Sequence, residues 1–228
     1  EPHPARDRLI RDLRQLGVRF RRLGWRSTLA VDCFKKLLLH TRPYERSAGD
    51  SDSVYRECLA RLADAVERGG GIEDCCAFAR GRFAAIAVDR TRAKPLIGIV
   101  GEIYVRSNAF SNQHLVRRLE ALGAEVLMPP LQEWIAYTDW ERANDLRRAG
   151  SAVRRCAEWL RRAVQQRDAA AMRRLFDGDM PHFPREAPVS AIMRLSAPYL
   201  SSHVRGEANL SVGRAVEYAL HRVHGIVN

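Results

Sequence analysis

The chain has 228 residues, 46% of them hydrophobic, with a formal net charge of +11 and a pI near 10.1. That length and apolar content support a large folded core and exclude a mostly disordered chain, and no stretch has the apolar length of a membrane span. Only three of the 38 basic residues are lysines (Lys35, Lys36, Lys94), so the charge reads as an arginine bias of GC-rich coding spread over solvated helix faces, and nucleic acid is not expected as a partner.

Arg6 to Leu16 reads as a short basic helix, and Gly17-Val18-Arg19-Phe20 as a strand or extended connection. Ser27 or Thr28 then caps a helix with Leu29, Ala30, Cys33, Phe34, Leu37 and Leu38 on one side, stopped at Arg42-Pro43. Asp50-Ser51-Asp52 caps a second helix bearing Val54, Tyr55, Cys58, Leu59, Leu62, Ala65 and Val66. Gly69-Gly70-Gly71 ends it and turns the chain into a third helix over roughly Ile72 to Ala87. Residues 1–93 therefore form a helical region, with a boundary in the polar run before Pro95.

The period changes at Leu96-Ile97-Gly98-Ile99-Val100, a continuous apolar run of the kind that makes a strand buried on both faces of a parallel sheet. Ser111 and Asn112 cap a helix with Leu115, Val116, Leu119 and Leu122, and Glu125 to Met128 is another strand. The three pieces form a right-handed βαβ unit. A short helix over Leu131 to Tyr137 is followed by one long helix, or two collinear ones, from Trp140 to Phe176. Its apolar stripe is Leu146, Ala149, Val153, Cys156, Leu160 and Val164, and arginine pairs recur every seven residues on the other side. After a loop to Pro188, helices run from Val189 to Tyr199 and through Leu210, Val212, Ala215, Val216 and Leu220, and Ile226-Val227-Asn228 reads as the first half of a buried strand. The expected fold class is α/β: a helical N-terminal region followed, over residues 94–228, by a partial flavodoxin-like (Rossmann-like) parallel sheet with helices, truncated at its C-terminus.

Glu1-Pro2-His3-Pro4 lacks the basic and apolar regions of a secretion signal, so a cytoplasmic protein is expected. The five cysteines, Cys33, Cys58, Cys75, Cys76 and Cys156, include no Cys-x-x-Cys pair and suggest neither a disulfide framework nor a self-contained metal site. Cys33, Cys58 and Cys156 fall on apolar helical positions.

In an open parallel sheet ligands bind beyond the carboxyl ends of the strands. Gly101 to Asn112 occupies that place and offers a glycine, the Glu102 carboxylate, the Tyr104 phenol, the Arg106 guanidinium and the Asn108 and Asn112 carboxamides, a set suited to a polar or anionic ligand. A purely structural reading, in which Glu102 and Asn112 only cap and fasten the loop, weighs as much. Glu207, in Gly206-Glu-Ala-Asn209, is a second candidate ligand-binding residue. There is no G-x-G-x-x-G or P-loop motif and no nucleophile–histidine–acid grouping, so no catalytic residue is assigned.

Lys94-Pro-Leu-Ile-Gly-Ile-Val-Gly-Glu-Ile-Tyr-Val-Arg106, followed by Phe110-Ser-Asn112, Leu122-Gly-Ala-Glu-Val126 and Glu133-Trp-Ile-Ala-Tyr137, resembles the acyl-CoA dehydratase activase-related family, large relatives of the 2-hydroxyglutaryl-CoA dehydratase components. Arg42-Pro-Tyr-Glu45 and Gly206-Glu-Ala-Asn-Leu-Ser-Val-Gly213 extend the resemblance from about Val31 to the end. It implies an oxygen-sensitive system in which an ATPase activator module or subunit drives a low-potential electron into an iron–sulfur acyl-CoA dehydratase or reductase. This chain would then be a scaffold fragment whose loops face a cluster or acyl-CoA substrate, with the cluster ligands outside it, inactive alone. The alternative is a non-catalytic docking or regulatory module for the ATPase.

Overall fold

The computed structural model describes residues 17–149, 152–180, 183, 186–201, 203, 204, 206–221 and 223–228. The expected helix over Arg6 to Leu16 lies outside them. In chain order come α1 (Val18–Thr41), α2 (Asp50–Glu67), α3 (Ile72–Ala84), β1 (Leu96–Ile99), α4 (Ile103–Ser107), α5 (Leu115–Ala121), β2 (Glu125–Leu127), α6 (Leu131–Ala149), α7 (Ala152–Leu175), α8 (Val189–Ser196), α9 (Ala208–Leu220) and β3 (Gly225–Val227). The chain is mostly helical, and its strands form one parallel sheet in the order β2-β1-β3, an α/β arrangement.

The expected extended segment at Gly17 to Phe20 is instead the start of α1, which runs unbroken through Gly24. Tertiary contacts explain the extra turns. Arg22 grips Asp168 of α7 with two hydrogen bonds of 2.8 and 2.6 Å, and the Trp25 indole donates to the Gln165 carbonyl at 3.2 Å. Ser27 and Thr28 are therefore not caps: their hydroxyls donate to the Leu23 and Gly24 carbonyls one turn back, as such residues do inside helices. The third helix ends at Ala84 rather than Ala87, because the Ala87 carbonyl accepts from the Arg46 amide at 2.9 Å and Val88 bridges antiparallel to Glu45.

The expected long helix over Trp140 to Phe176 is two helices that fold back on each other. Arg161 reaches Asp139 at 2.6 Å across 22 positions of sequence, which a collinear pair cannot do. The consequence for the apolar stripe is large: Val153 is 79%, Leu160 58% and Val164 40% exposed, Trp159 beside them is 68% exposed, and Cys156 is exposed as well. Only the last turns of α7, through Ala169 and Met172, and Phe176 just after them enter a core.

That core joins them to Leu29, Ala30, Phe34, Leu37 and Leu38 of α1, Val54, Cys58 and Leu62 of α2, and Ile72, Cys75, Cys76 and Phe83 of α3. A separate layer places Leu39 of α1 on Ile99 and Val126 of the sheet. The expected division at residues 93/94 is thus crossed twice, by α7 returning to the helical region and by α1 reaching the sheet. A buried polar knot fastens the second crossing: Glu125, at the start of β2, accepts from the Tyr44 hydroxyl at 2.9 Å and lies 2.9 Å from Nδ1 of His40.

On the other face of the sheet, a Cβ at Gly98 would lie 2.4 Å from the Tyr218 ring, so glycine there lets α9 pack directly on β1. The expected buried strand at the end of the chain is β3, half-buried with Ile226 39% exposed, because it lies at the side of the three-stranded sheet. The helix expected to reach Tyr199 stops at Ser196. No described helix is long and apolar enough to cross a membrane.

Candidate anion-binding site at the carboxyl edge of the sheet

β1 hands the chain to a loop whose backbone is determined residue by residue. Gly101 has φ +114°, and a side chain there would also crowd the Asn228 carboxamide of the neighbouring strand end at 3.2 Å. The next turn, α4, receives two carboxylates at its free amides: Glu102 accepts from the Val105 amide at 2.8 Å, and Glu207 from the Ile103 amide at 2.7 Å. The two segments singled out in the sequence, 101 to 112 and 206 to 209, are therefore brought together by a direct hydrogen bond across about a hundred residues.

Asn112 closes the loop from its far end. Its amide donates to the Val105 and Arg106 carbonyls at 3.0 and 2.9 Å, and its oxygen accepts from the Leu115 amide at 3.2 Å, at the start of α5. Between them Gln113 and His114 adopt left-handed backbone, φ 53° and 57°, a strained pair for residues that carry a Cβ. Asn209 is fully buried and holds the second segment, donating to the Ser201 and Val204 carbonyls.

The five candidates thus divide. Glu102, Asn112 and Glu207 fasten the loop. Tyr104 points away, 61% exposed and outside the cavity described next. Arg106 turns inward: it is 7% exposed, its Nε has no partner, and no described side chain bonds or pairs with its guanidinium. Burial pushes its pKa down, opposed by Tyr218 and Glu207.

Arg106, Asn112 and His114 line a cavity of about 450 Å³ whose other walls are α1, the first turns of α2, the start of α5 and the Met128-Pro129-Pro130 turn after β2. It lies where parallel sheets bind ligands. Sequence reasoning missed the α1 wall, which contributes Asp32, Lys35, Lys36 and Leu39, with Arg42 just after it. One signal was present: two of the three lysines in an arginine-dominated chain, Lys35 and Lys36, stand side by side there. Burial, with Arg42 nearby, pushes the Lys35 pKa down.

Asp32 supplies what Pro129-Pro130 cannot, a cap for α6. Its two oxygens accept from the Leu131 and Gln132 amides at 2.9 and 2.8 Å. Burial nevertheless pushes its pKa up to about 6, with Glu186 adding and the two amides and Lys36 opposing. The fold therefore holds a proton on Asp32 that the unfolded chain has already released, so this contribution to stability is present below pH 4 and is lost as pH rises through about 6, by on the order of 3 kcal/mol. The difference in unfolding free energy between the parent chain and Asp32→Ala is expected to shrink between pH 4 and pH 7 in urea titrations. A difference independent of pH would show that Asp32 stays ionised.

The cysteines do not fit an iron–sulfur cluster. Cys33, Cys58, Cys75 and Cys76 pack in or against the helical core, where burial pushes Cys58 up to about 11 and Cys76 up to about 12, away from the thiolate that ligates metal. Cys156 lies exposed on α7, apart from them, and no three metal-ligating side chains meet among the described residues. Compared with protein-family models, with curated proteins and with solved structures, the chain matches none.

Proposed function

We propose that the chain is a scaffold portion of an iron–sulfur acyl-CoA dehydratase or dehydratase-activase-related protein, and that its carboxyl-edge cavity receives the anionic ligand of that system. The observation that carries the proposal is the Gly-Glu-Ile-Tyr segment: the stretch that bears the family resemblance also delivers Arg106, buried and unpaired, into the cavity. The strand order β2-β1-β3 supports a flavodoxin-like sheet, and the cavity sits at its carboxyl edge between the segments that follow β1 and β2, on the side away from β3. Since this chain's own thiols do not suit a cluster, the ligands of any cluster come from elsewhere in the assembly, and these residues bind and orient instead.

In the full-length protein, Arg106→Gln is expected to lower kcat/KM for an acyl-CoA by about 10- to 100-fold, the worth of one charge-assisted contact, with iron content unchanged. Unchanged turnover with intact iron would overturn the proposal.

The second reading, a docking module for an ATPase activator, is favoured by the exposed Trp159 of α7, which lines a groove with Arg155 and Arg162, and by the exposed Val153 and Leu160 of the same helix. Aromatic and arginine side chains dominate protein interfaces. Trp159→Ala is expected to weaken co-purification with the ATPase at least tenfold, about 1.4 kcal/mol or more, and leave ligand binding at the cavity intact. Equal recovery of the ATPase by both forms would remove this reading.

A further inference from the structure

Five cations line the carboxyl-edge cavity, and three are answered by carboxylates. Lys36 pairs with Glu186, Arg42 with Glu120 and Asp52, and Arg117 with Asp52. Lys35 and Arg106 have no side chain in hydrogen-bond or ion-pair contact among the described residues; carboxylates act on them only at longer range, Glu120 and Asp52 on Lys35 and Glu207 and Asp32 on Arg106. The cavity's own carboxylates are already engaged, Asp52 in its ion pairs and Asp32 with the first amides of α6. A guanidinium withdrawn from water with no carboxylate in contact is costly, and the cost is offset when an anion enters.

The number of unanswered charges narrows the ligand. A single carboxylate would satisfy one cation and leave the other bare. A phosphate monoester carries between one and two negative charges near neutral pH and presents three acceptor oxygens, enough for the fork of a guanidinium and an ammonium together. We propose that this cavity is a phosphate-monoester site, with Arg106 and Lys35 as its two anion-binding side chains. It deepens the reading above and rests on the carboxyl edge being the ligand face, but not on the family resemblance.

The test is calorimetric titration of the chain with inorganic phosphate, then with CoA, which carries a 3′-phosphate monoester, and with dephospho-CoA, which lacks it. Phosphate is expected to bind, and Arg106→Gln and Lys35→Gln are each expected to weaken it about tenfold or more. Lys35 is half-exposed, so its variant keeps the test valid if Arg106→Gln fails to fold. CoA binding at least tenfold tighter than dephospho-CoA, and lost with the same variants, supports the site and the acyl-CoA reading together. Phosphate binding that both variants abolish, with no gain for CoA, keeps the site and removes the acyl-CoA reading. Phosphate binding that is absent, or untouched by both variants, overturns the site, even if CoA binds elsewhere.

Discussion

Gly213→Val is expected to destabilise the chain by about 3 kcal/mol or more, the upper range of overpacking a buried contact. A Cβ at this position would lie 2.2 Å from the Ile192 carbonyl oxygen and 2.8 Å from its side chain, so α8 and α9 touch backbone to backbone. Glycine inside a helix normally weakens it by about 1 kcal/mol relative to alanine, which would make substitution favourable in isolation. Here the clash outweighs that gain, because the obstructing atom belongs to a main chain and not to a side chain that can swing aside. In a chain of this size the melting temperature should fall by about 6–12 °C. Wild-type stability in the valine variant would mean that the two helices are not in contact at this point. Function should suffer as well, since α9 follows directly on Glu207 and its amide partner at the start of α4.

Arg214→Met is the second large effect expected. Arg214, 4% exposed, forms ion pairs with Glu133 of α6 and Glu217 of its own helix, both equally buried. Removing the cation leaves two buried carboxylates without their counter-charge, and breaking a buried ion cluster from one side typically costs about 3–5 kcal/mol. Replacing all three by apolar residues of similar size is expected to recover most of that loss, because the desolvation of every charge is then avoided. Urea denaturation of the single and triple variants checks both statements. A single variant that loses less than about 1 kcal/mol would show the cluster to be solvated rather than buried.

The elements whose period is set by their own core were legible in the sequence: α2 and α3 with the glycine run between them, and the β1–α5–β2 unit with Asn112 bonding the first amide of α5; the expected cap at Asp50-Ser51-Asp52 was not, since these residues already lie inside α2 and Gly49 precedes it with no side-chain cap. What escaped was non-local. Nothing near Gly17 to Phe20 announces a helix, because the contacts that extend α1 come from Gln165 and Asp168 of a helix far along the chain. The apolar spacing of α7 was real, but periodicity cannot say whether a stripe meets a partner within the same chain, and most of this one meets none among the described residues. The candidate site was half legible. Its loop residues were found from strand-end position, yet their separate duties were not, since Tyr104 and Arg106, two apart on a short helix, point one outward and one inward. The α1 wall carries no motif at all. Lys35 belongs to the site only because α1 crosses the carboxyl edge of a sheet that begins some sixty residues later.

The passage of α1 from the helical core to the sheet also makes the cavity a joint. A molecule seated between Arg106 of the sheet half and Lys35 of the helical half would act as mortar, so its binding energy adds to the adhesion of the two halves. Saturation at a hundred times the dissociation constant corresponds to about 2.7 kcal/mol of added stability. That stabilisation should appear first as slowed amide exchange along the last turns of α1, the segment that both halves share.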